Sequence, residues 1–189
     1  MTREEALKIL EENLENKNMI KHCLASGAVM AAVAAKLKSQ NPKLKAEINE
    51  NEWEIAGLLH DADAEKTPPE RQGATVGEWV KGQVSEEVIQ AMASHNPSTG
   101  VSCQSQMDWA LFAGEKLTGL IVATTLVLPS KKLADVTTEM VLRRFQEPRF
   151  AKGAKRENVL ECEKLGLGLE DFVNVSLKAM QGISEDLGL

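Results

Sequence analysis

Aromatic residues are scarce in this chain: four Phe, three Trp and no Tyr make up 4% of it. Sheets draw on aromatic and β-branched residues, whereas Ala, Leu, Glu and Lys abound here, so composition excludes an aromatic-rich sandwich or barrel and predicts an all-α fold. Cysteine is sparse too. Cys23, Cys103 and Cys162 are odd in number, far apart and form no CxxC pair, which argues against a disulfide framework or a cysteine zinc site and suits a reducing compartment. Positive charge is in deficit, with 22 Lys and Arg against 28 Asp and Glu and a net charge of -6. A broad nucleic-acid-binding face needs clustered Lys and Arg, so a small-molecule partner is expected instead. The most apolar stretch, "CLASGAVMAAVAAKL", falls short of the about 20 apolar residues that span a bilayer. "MTREEALKILEENL" carries acidic residues where a signal peptide is basic and then apolar. The expectation is a soluble, cytoplasmic protein with no membrane partner, and association with a second copy stays open.

What is present is a series of helix starts and stops. At 189 residues the chain can bury one core, and it reads as a single domain over 1–189 whose C-terminal helices, about 137–189, pack on that core. Thr2 and Glu5 form a capping-box pattern for a helix to about Glu15, and a second helix spans roughly Met19 to Ser39 with small residues along one side. "NPKLKAEINEN" is a polar loop. Asn51 and Glu54 repeat the capping-box spacing before a short helix that reaches His60 and Asp61. "EKTPPERQG" breaks it, "ATVGEWVKG" is a short helix, and Ser85 caps another that runs to His95. From Ser105 to about Leu128 lies the longest apolar segment, opened by a Ser105/Asp108 cap and read as a central buried helix. Helices over about Thr137 to Gln146, Arg156 to Leu165, and Leu169 onward complete the chain.

The chain has only three histidines, His22, His60 and His95, each at or near a helix facing the core. A lone His on an apolar face is usually a core residue hydrogen-bonded to a neighbour. His60, however, is followed directly by Asp61, and burying an ionised carboxylate beside "AGLLH" costs several kcal/mol unless a cation or donor compensates. A divalent metal would do so, with imidazole nitrogen and carboxylate oxygen as ligands of intermediate hardness.

The order of His22 in "MIKHCLASGAVM", His60 and Asp61 in "IAGLLHDADAEK", and a carboxylate in "ALFAGEKLTGLIVA" resembles the H…HD…D pattern of the HD-domain superfamily of metal-dependent phosphohydrolases. "PSKKLADV", "RRFQEPRFAKGAKRE" and "LGLGLEDFVNVSLKAM" extend the resemblance, to an HD-domain hydrolase subfamily of bacteria and archaea, along almost the whole chain. It implies an HD-like helical bundle around one divalent ion, with Mn, Fe, Co, Ni and Zn all compatible. Carried over by position, it makes His22, His60 and Asp61 metal ligands and places Glu115 where the family commonly has Asp. Glu adds a methylene, moving the carboxylate about an ångström further out, so Glu115 binds directly, binds through water, or does not bind. Asp108, earlier on the same helix, reads better as that helix's cap.

In related phosphohydrolases a carboxylate shortly after the HD pair serves the chemistry. Here Glu65 stands four residues beyond Asp61, on the same face if the helix continues, and the alternative is a solvated helix end beside Lys66. The family's frequent aromatic at the position of Ala64 is missing. His95 could donate to a phosphate oxygen or leaving group, or join a second metal; with no further histidine, a mononuclear site is favoured. Lys131 and Lys132, presented together by a turn, are candidates for holding substrate phosphate, while Arg143, Arg144, Arg149 and Lys152 read more simply as solvated surface. The expected activity is hydrolysis of a phosphate ester, a nucleotide or small phosphorylated metabolite, by metal-activated water, with Asp61, Glu65 and His95 in the chemistry. The alternative is an HD-fold binding or regulatory protein without turnover, motivated by Glu115 and Ala64. Oxygen-dependent chemistry at a two-iron site is disfavoured by the shortage of histidines.

Overall fold

Capping geometry accounts for where the helices begin. In the computed structural model, which describes residues 1–41 and 47–189, Thr2 Oγ1 accepts the Glu5 N–H and the Glu5 carboxylate accepts the Thr2 N–H, opening α1 (Arg3–Asn13). Asn16 caps α2 (Lys17–Gln40), Ser85 caps α5 (Glu86–Ser94), Ser105 and Asp108 close a reciprocal box at α6 (Gln106–Leu126), and Thr137 caps α7 (Thr138–Phe145). The fold is all-α, and no strand occurs among the described residues. Short helices α4 (Ala74–Trp79) and α8 (Arg156–Leu160), then α9 (Leu169–Gly182) and α10 (Ser184–Leu187), complete it.

Two expectations change, and a third lies partly outside the described residues. Helix α3 (Glu50–Leu59) is capped by Asn49 through the Asn51 N–H, two residues before the expected start at Asn51. The segment 156–165 is not one helix, because α8 passes into a 3₁₀ turn over Glu161–Leu165. Of the expected loop "NPKLKAEINEN", residues 42–46 lie outside the described residues.

Helix α6 is nearly buried along its length, with Leu111, Leu117, Leu120 and Ile121 among the largest fully buried side chains, and it packs against α2, α5, α7, α8 and α9. Helix α2 packs against α3, α6 and α9. By length and composition α2 is also apolar enough to cross a membrane, the one such helix among the described residues, although half of its apolar window is buried inside this bundle.

The crossing of α2 and α3 matters most for the site. A Cβ on Gly57 would stand 2.6 Å from the Ser26 carbonyl oxygen and 2.7 Å from the Gly27 backbone, and one on Gly27 would stand 2.8 Å from Leu58 Cγ. Only two glycines permit so close an approach of backbones. Lys38 pairs with Glu50 at 2.7 Å at one end of this antiparallel pair, and His22 meets His60 at the other.

Toward the C-terminus a single arginine organises a loop. The Arg156 guanidinium donates to the carbonyls of Arg144, Phe145, Glu147, Phe150, Ala151 and Ala154, adding to the turn hydrogen bonds that three of these acceptors already make. Arg144, expected on a solvated surface, pairs with Glu147 at 2.8 Å and lies over the Phe150 ring.

Candidate metal centre

Each histidine arrives from a different helix, and hydrogen bonding determines which ring nitrogen faces inward. His60 is the C-cap of α3, fully buried, with Nδ1 2.8 Å from the Gly57 carbonyl oxygen. His95 is the buried C-cap of α5, with Nδ1 2.6 Å from the Met92 carbonyl oxygen. A carbonyl oxygen can only accept, so both rings carry their proton on Nδ1 and turn Nε2 toward the interior. The Thr118 hydroxyl gives its single proton to the Glu115 carbonyl at 2.7 Å. At 3.2 Å from His22 Nδ1 it therefore accepts, and His22 too is protonated on Nδ1.

The inward nitrogens converge on Asp61. His22 Nε2 and His60 Nε2 are 3.1 Å apart, and Asp61 Oδ2 lies 3.4 Å from the second and 3.8 Å from the first. His95 Nε2 stands 3.3 Å from Asp61 Oδ1. Burial pushes the His60 pKa down to about 3, against the opposing pull of Asp61, so this imidazole stays neutral. Burial would raise the pKa of Asp61, but the surrounding imidazoles outweigh it and hold the carboxylate ionised well below the usual range. For His95 burial acts downward, and its contact with Asp61 reverses the sign, leaving the pKa raised.

The neutral His60 imidazole thus directs its Nε2 lone pair at His22 Nε2, 3.1 Å away, beside an ionised carboxylate. Ligand atoms about 2.0–2.2 Å from a common ion are about 3.0–3.5 Å apart along a tetrahedral or octahedral edge, and the His22–His60 and His60–Asp61 separations fall in that range. The donor atoms of His22, His60 and Asp61 all lie within 4.8 Å of one another, so these three side chains can hold a metal ion. Hydrogen bonds from Nδ1 to Gly57, Met92 and Thr118 orient the rings in the manner usual for metal-binding histidines.

Glu115 is outside this set of three. Its Oε2 reaches only to 3.9 Å from His22 Nε2, and its Oε1 lies 2.5 Å from the Lys116 ammonium one position along α6. The added methylene and the neighbouring cation together keep the carboxylate at the edge of the cluster. Asp108 caps α6 as expected, accepting the Gln104 and Ser105 N–H groups and the Ser105 hydroxyl.

Glu65 is not brought to the cluster. Helix α3 stops at Leu59, and residues 60–66 form successive turns with Ala62 bonded to Leu59, Ala64 to Asp61 and Lys66 to Asp63. The four-residue stacking of Asp61 and Glu65 therefore does not arise. Both Glu65 oxygens accept backbone N–H groups, of Glu15 and Asn16 at 2.9 Å each, and these bonds lower its pKa. Asp63 instead is buried and accepts the Gly73 and Val76 N–H groups, holding the chain that passes beneath His95. Gly73, at φ +83°, sits so close that a Cβ there would lie 2.9 Å from His95 Cε1.

A cleft of about 500 Å³ opens beside His22 and Thr118 between α2, α6 and α10. Lys131 and Lys132 are exposed and line a separate groove, which shares only Gly188 and Leu189 with this cleft. The cation in the cleft is Lys21, which no sequence motif marks although it adjoins His22. Comparison with protein-family models, curated proteins and solved structures finds no match.

Proposed function

We propose that this protein is a metal-dependent hydrolase of phosphate esters, with His22, His60 and Asp61 holding one divalent ion. The reading rests first on the convergence of His22 Nε2, His60 Nε2 and an ionised Asp61 carboxylate, with the two nitrogens 3.1 Å apart and all three donor atoms within 4.8 Å of one another, a donor set that suits a divalent cation. Such an ion, when bound, supplies Lewis acidity, which acidifies water and polarises a phosphoryl oxygen. The chain's own groups provide the remainder. His95, with Nε2 3.3 Å from Asp61 Oδ1 and its pKa raised by that contact, is the candidate to take up a second proton at Nε2 and pass it to the leaving oxygen as the P–O bond breaks and water adds to phosphorus. Lys21, on the cleft wall beside His22, balances charge on the substrate phosphate. The resemblance to HD-domain phosphohydrolases points the same way.

A second reading, a metal-holding binding or regulatory protein without turnover, draws on two observations: Glu65 is engaged by backbone, and Glu115 is paired with Lys116. One experiment addresses both. The purified protein is analysed for Mn, Fe, Co, Ni and Zn, and phosphate release is followed across a panel of phosphate esters with each metal added. Stoichiometric metal with release supports the hydrolase, and metal with ester binding but no release favours the second reading. A protein that neither retains nor responds to any of these metals overturns both.

A further inference from the structure

We infer that the cleft beside His22 takes the aliphatic portion of a phosphorylated small molecule rather than a nucleobase. This inference rests on the phosphate-ester reading above and names the substrate class. The cleft shares His22 with the metal-ligand set and Thr118 with the groups that orient it, so a molecule occupying it lies against the same imidazole. Its walls carry Ala25, Val122, Leu126, Leu187 and Leu189, and no Phe, Tyr or Trp; the one ring on them, His22, belongs to the metal-ligand set.

A nucleobase presents several donors and acceptors along its edges and a flat face suited to stacking. Each polar group buried without a partner is costly, and base recognition ordinarily uses aromatic or guanidinium planes. In the cleft, Asn18 offers one amide, and the Thr118 hydroxyl is already committed to Glu115 and His22. Lys21 is the single cation on these walls, enough for one phosphate and poorly matched to a polyphosphate. An alkyl chain asks for no hydrogen bonds and gains from each methylene it removes from water.

Gly119 sharpens the assignment. It lies in the interior of α6, where glycine is unfavourable, and a Cβ there would meet nothing within 4 Å. No packing contact requires glycine at this position. What its missing side chain provides is width in the cleft that it lines.

The test titrates the full-length Mn²⁺-loaded protein with n-alkyl phosphates from ethyl to octyl and with AMP and GMP, using calorimetry for binding and phosphate release for turnover. Affinity is expected to rise about fourfold per methylene until the cleft is filled, with both nucleotides weaker than hexyl phosphate. Gly119→Leu should flatten the dependence on chain length while its Tm stays at or above that of the wild type. Affinity independent of chain length, or AMP or GMP binding more tightly than hexyl phosphate, overturns the inference. Chain-length-dependent binding without phosphate release upholds the cleft assignment and removes the hydrolase reading. Phosphate release with no dependence on chain length does the reverse.

Discussion

His22 Nε2 and His60 Nε2 face each other at 3.1 Å, each with its proton held on the far side of the ring, by Thr118 for His22 and by Gly57 for His60. That relationship connects the helix crossing to the chemistry. The closeness of the two nitrogens follows from the closeness of two helix backbones, and the direction in which they point follows from the carbonyl and hydroxyl groups behind the rings. A cation binding there stabilises the folded chain, by about 2.7 kcal/mol at one hundred times its dissociation constant. The Tm of metal-free protein should therefore rise on titration with Mn²⁺, Co²⁺, Ni²⁺ or Zn²⁺, and His60→Ala should abolish the rise. An equal rise in His60→Ala, measured by scanning calorimetry, would place the ion elsewhere.

The crossing itself can be probed away from the ligands. Gly57→Ala puts a methyl group 2.6–2.7 Å from the α2 backbone, where no side chain can swing aside. Overpacking typically costs about 1–3 kcal/mol, and a clash with backbone belongs at the upper end. Gly153→Ala, where a Cβ meets nothing within 4 Å, is the control and should change stability little. Urea denaturation of both variants measures the difference. Because the clash forces α2 and α3 apart, Gly57→Ala should also weaken metal binding although residue 57 is no ligand.

These helix starts are legible in the sequence because caps are local: Thr2, Ser85, Ser105 and Thr137 each act through the N–H group three residues on. His22, His60 and Asp61 are legible for a different reason, since a charged pair at the end of an apolar helix requires compensation wherever the chain goes. Glu65 is not. A catalytic role for it requires α3 to continue, and the turns after Leu59 carry it instead to the start of α2, a contact across about fifty residues that no spacing rule encodes. Lys21 and Lys116 escape sequence reasoning because adjacency to His22 and Glu115 does not say which way a flexible chain of four methylenes turns. Lys131 and Lys132 share a turn, as a clamp would need, but the groove that this turn borders is set by the packing of α10.

Glu65 yields a pH signature of its own. The Glu15 and Asn16 N–H groups favour its ionised form and lower its pKa below the ordinary 4.5. A carboxylate with a lowered folded-state pKa stabilises fully above its unfolded value, and that contribution is lost as pH falls through the folded value. Glu65→Gln keeps an acceptor oxygen but cannot ionise. Its Tm should lie below wild type above about pH 5, and the two curves should converge as the pH falls below 4.5. Tm measured from pH 3 to 7 checks this. Phosphate release at neutral pH should persist in the variant, whereas its loss would return Glu65 to the chemistry.

Lys116 sets the electrostatic balance at the edge of the cluster. Its ammonium lies 2.5 Å from Glu115 Oε1, neutralising a carboxylate whose other oxygen is 3.9 Å from His22 Nε2. Lys116→Met keeps much of the aliphatic stem, removes one positive charge near the ion's position, and leaves the Glu115 carboxylate buried without its partner. Both changes favour a divalent cation, so affinity should increase roughly tenfold, a modest fraction of the interaction of unit charges at close range in a protein interior. Glu115→Gln in the otherwise wild-type chain leaves the Lys116 charge uncompensated near the ion's position and should weaken affinity by a comparable factor. In the Lys116→Met background the same change should cost most of the gain. Calorimetric titration of metal into the wild type, the two single variants and the double variant closes the cycle. Additive effects are expected if both charges act on the ion through space, and a coupling of about 1 kcal/mol or more would show that Glu115 turns to the ion once Lys116 is removed.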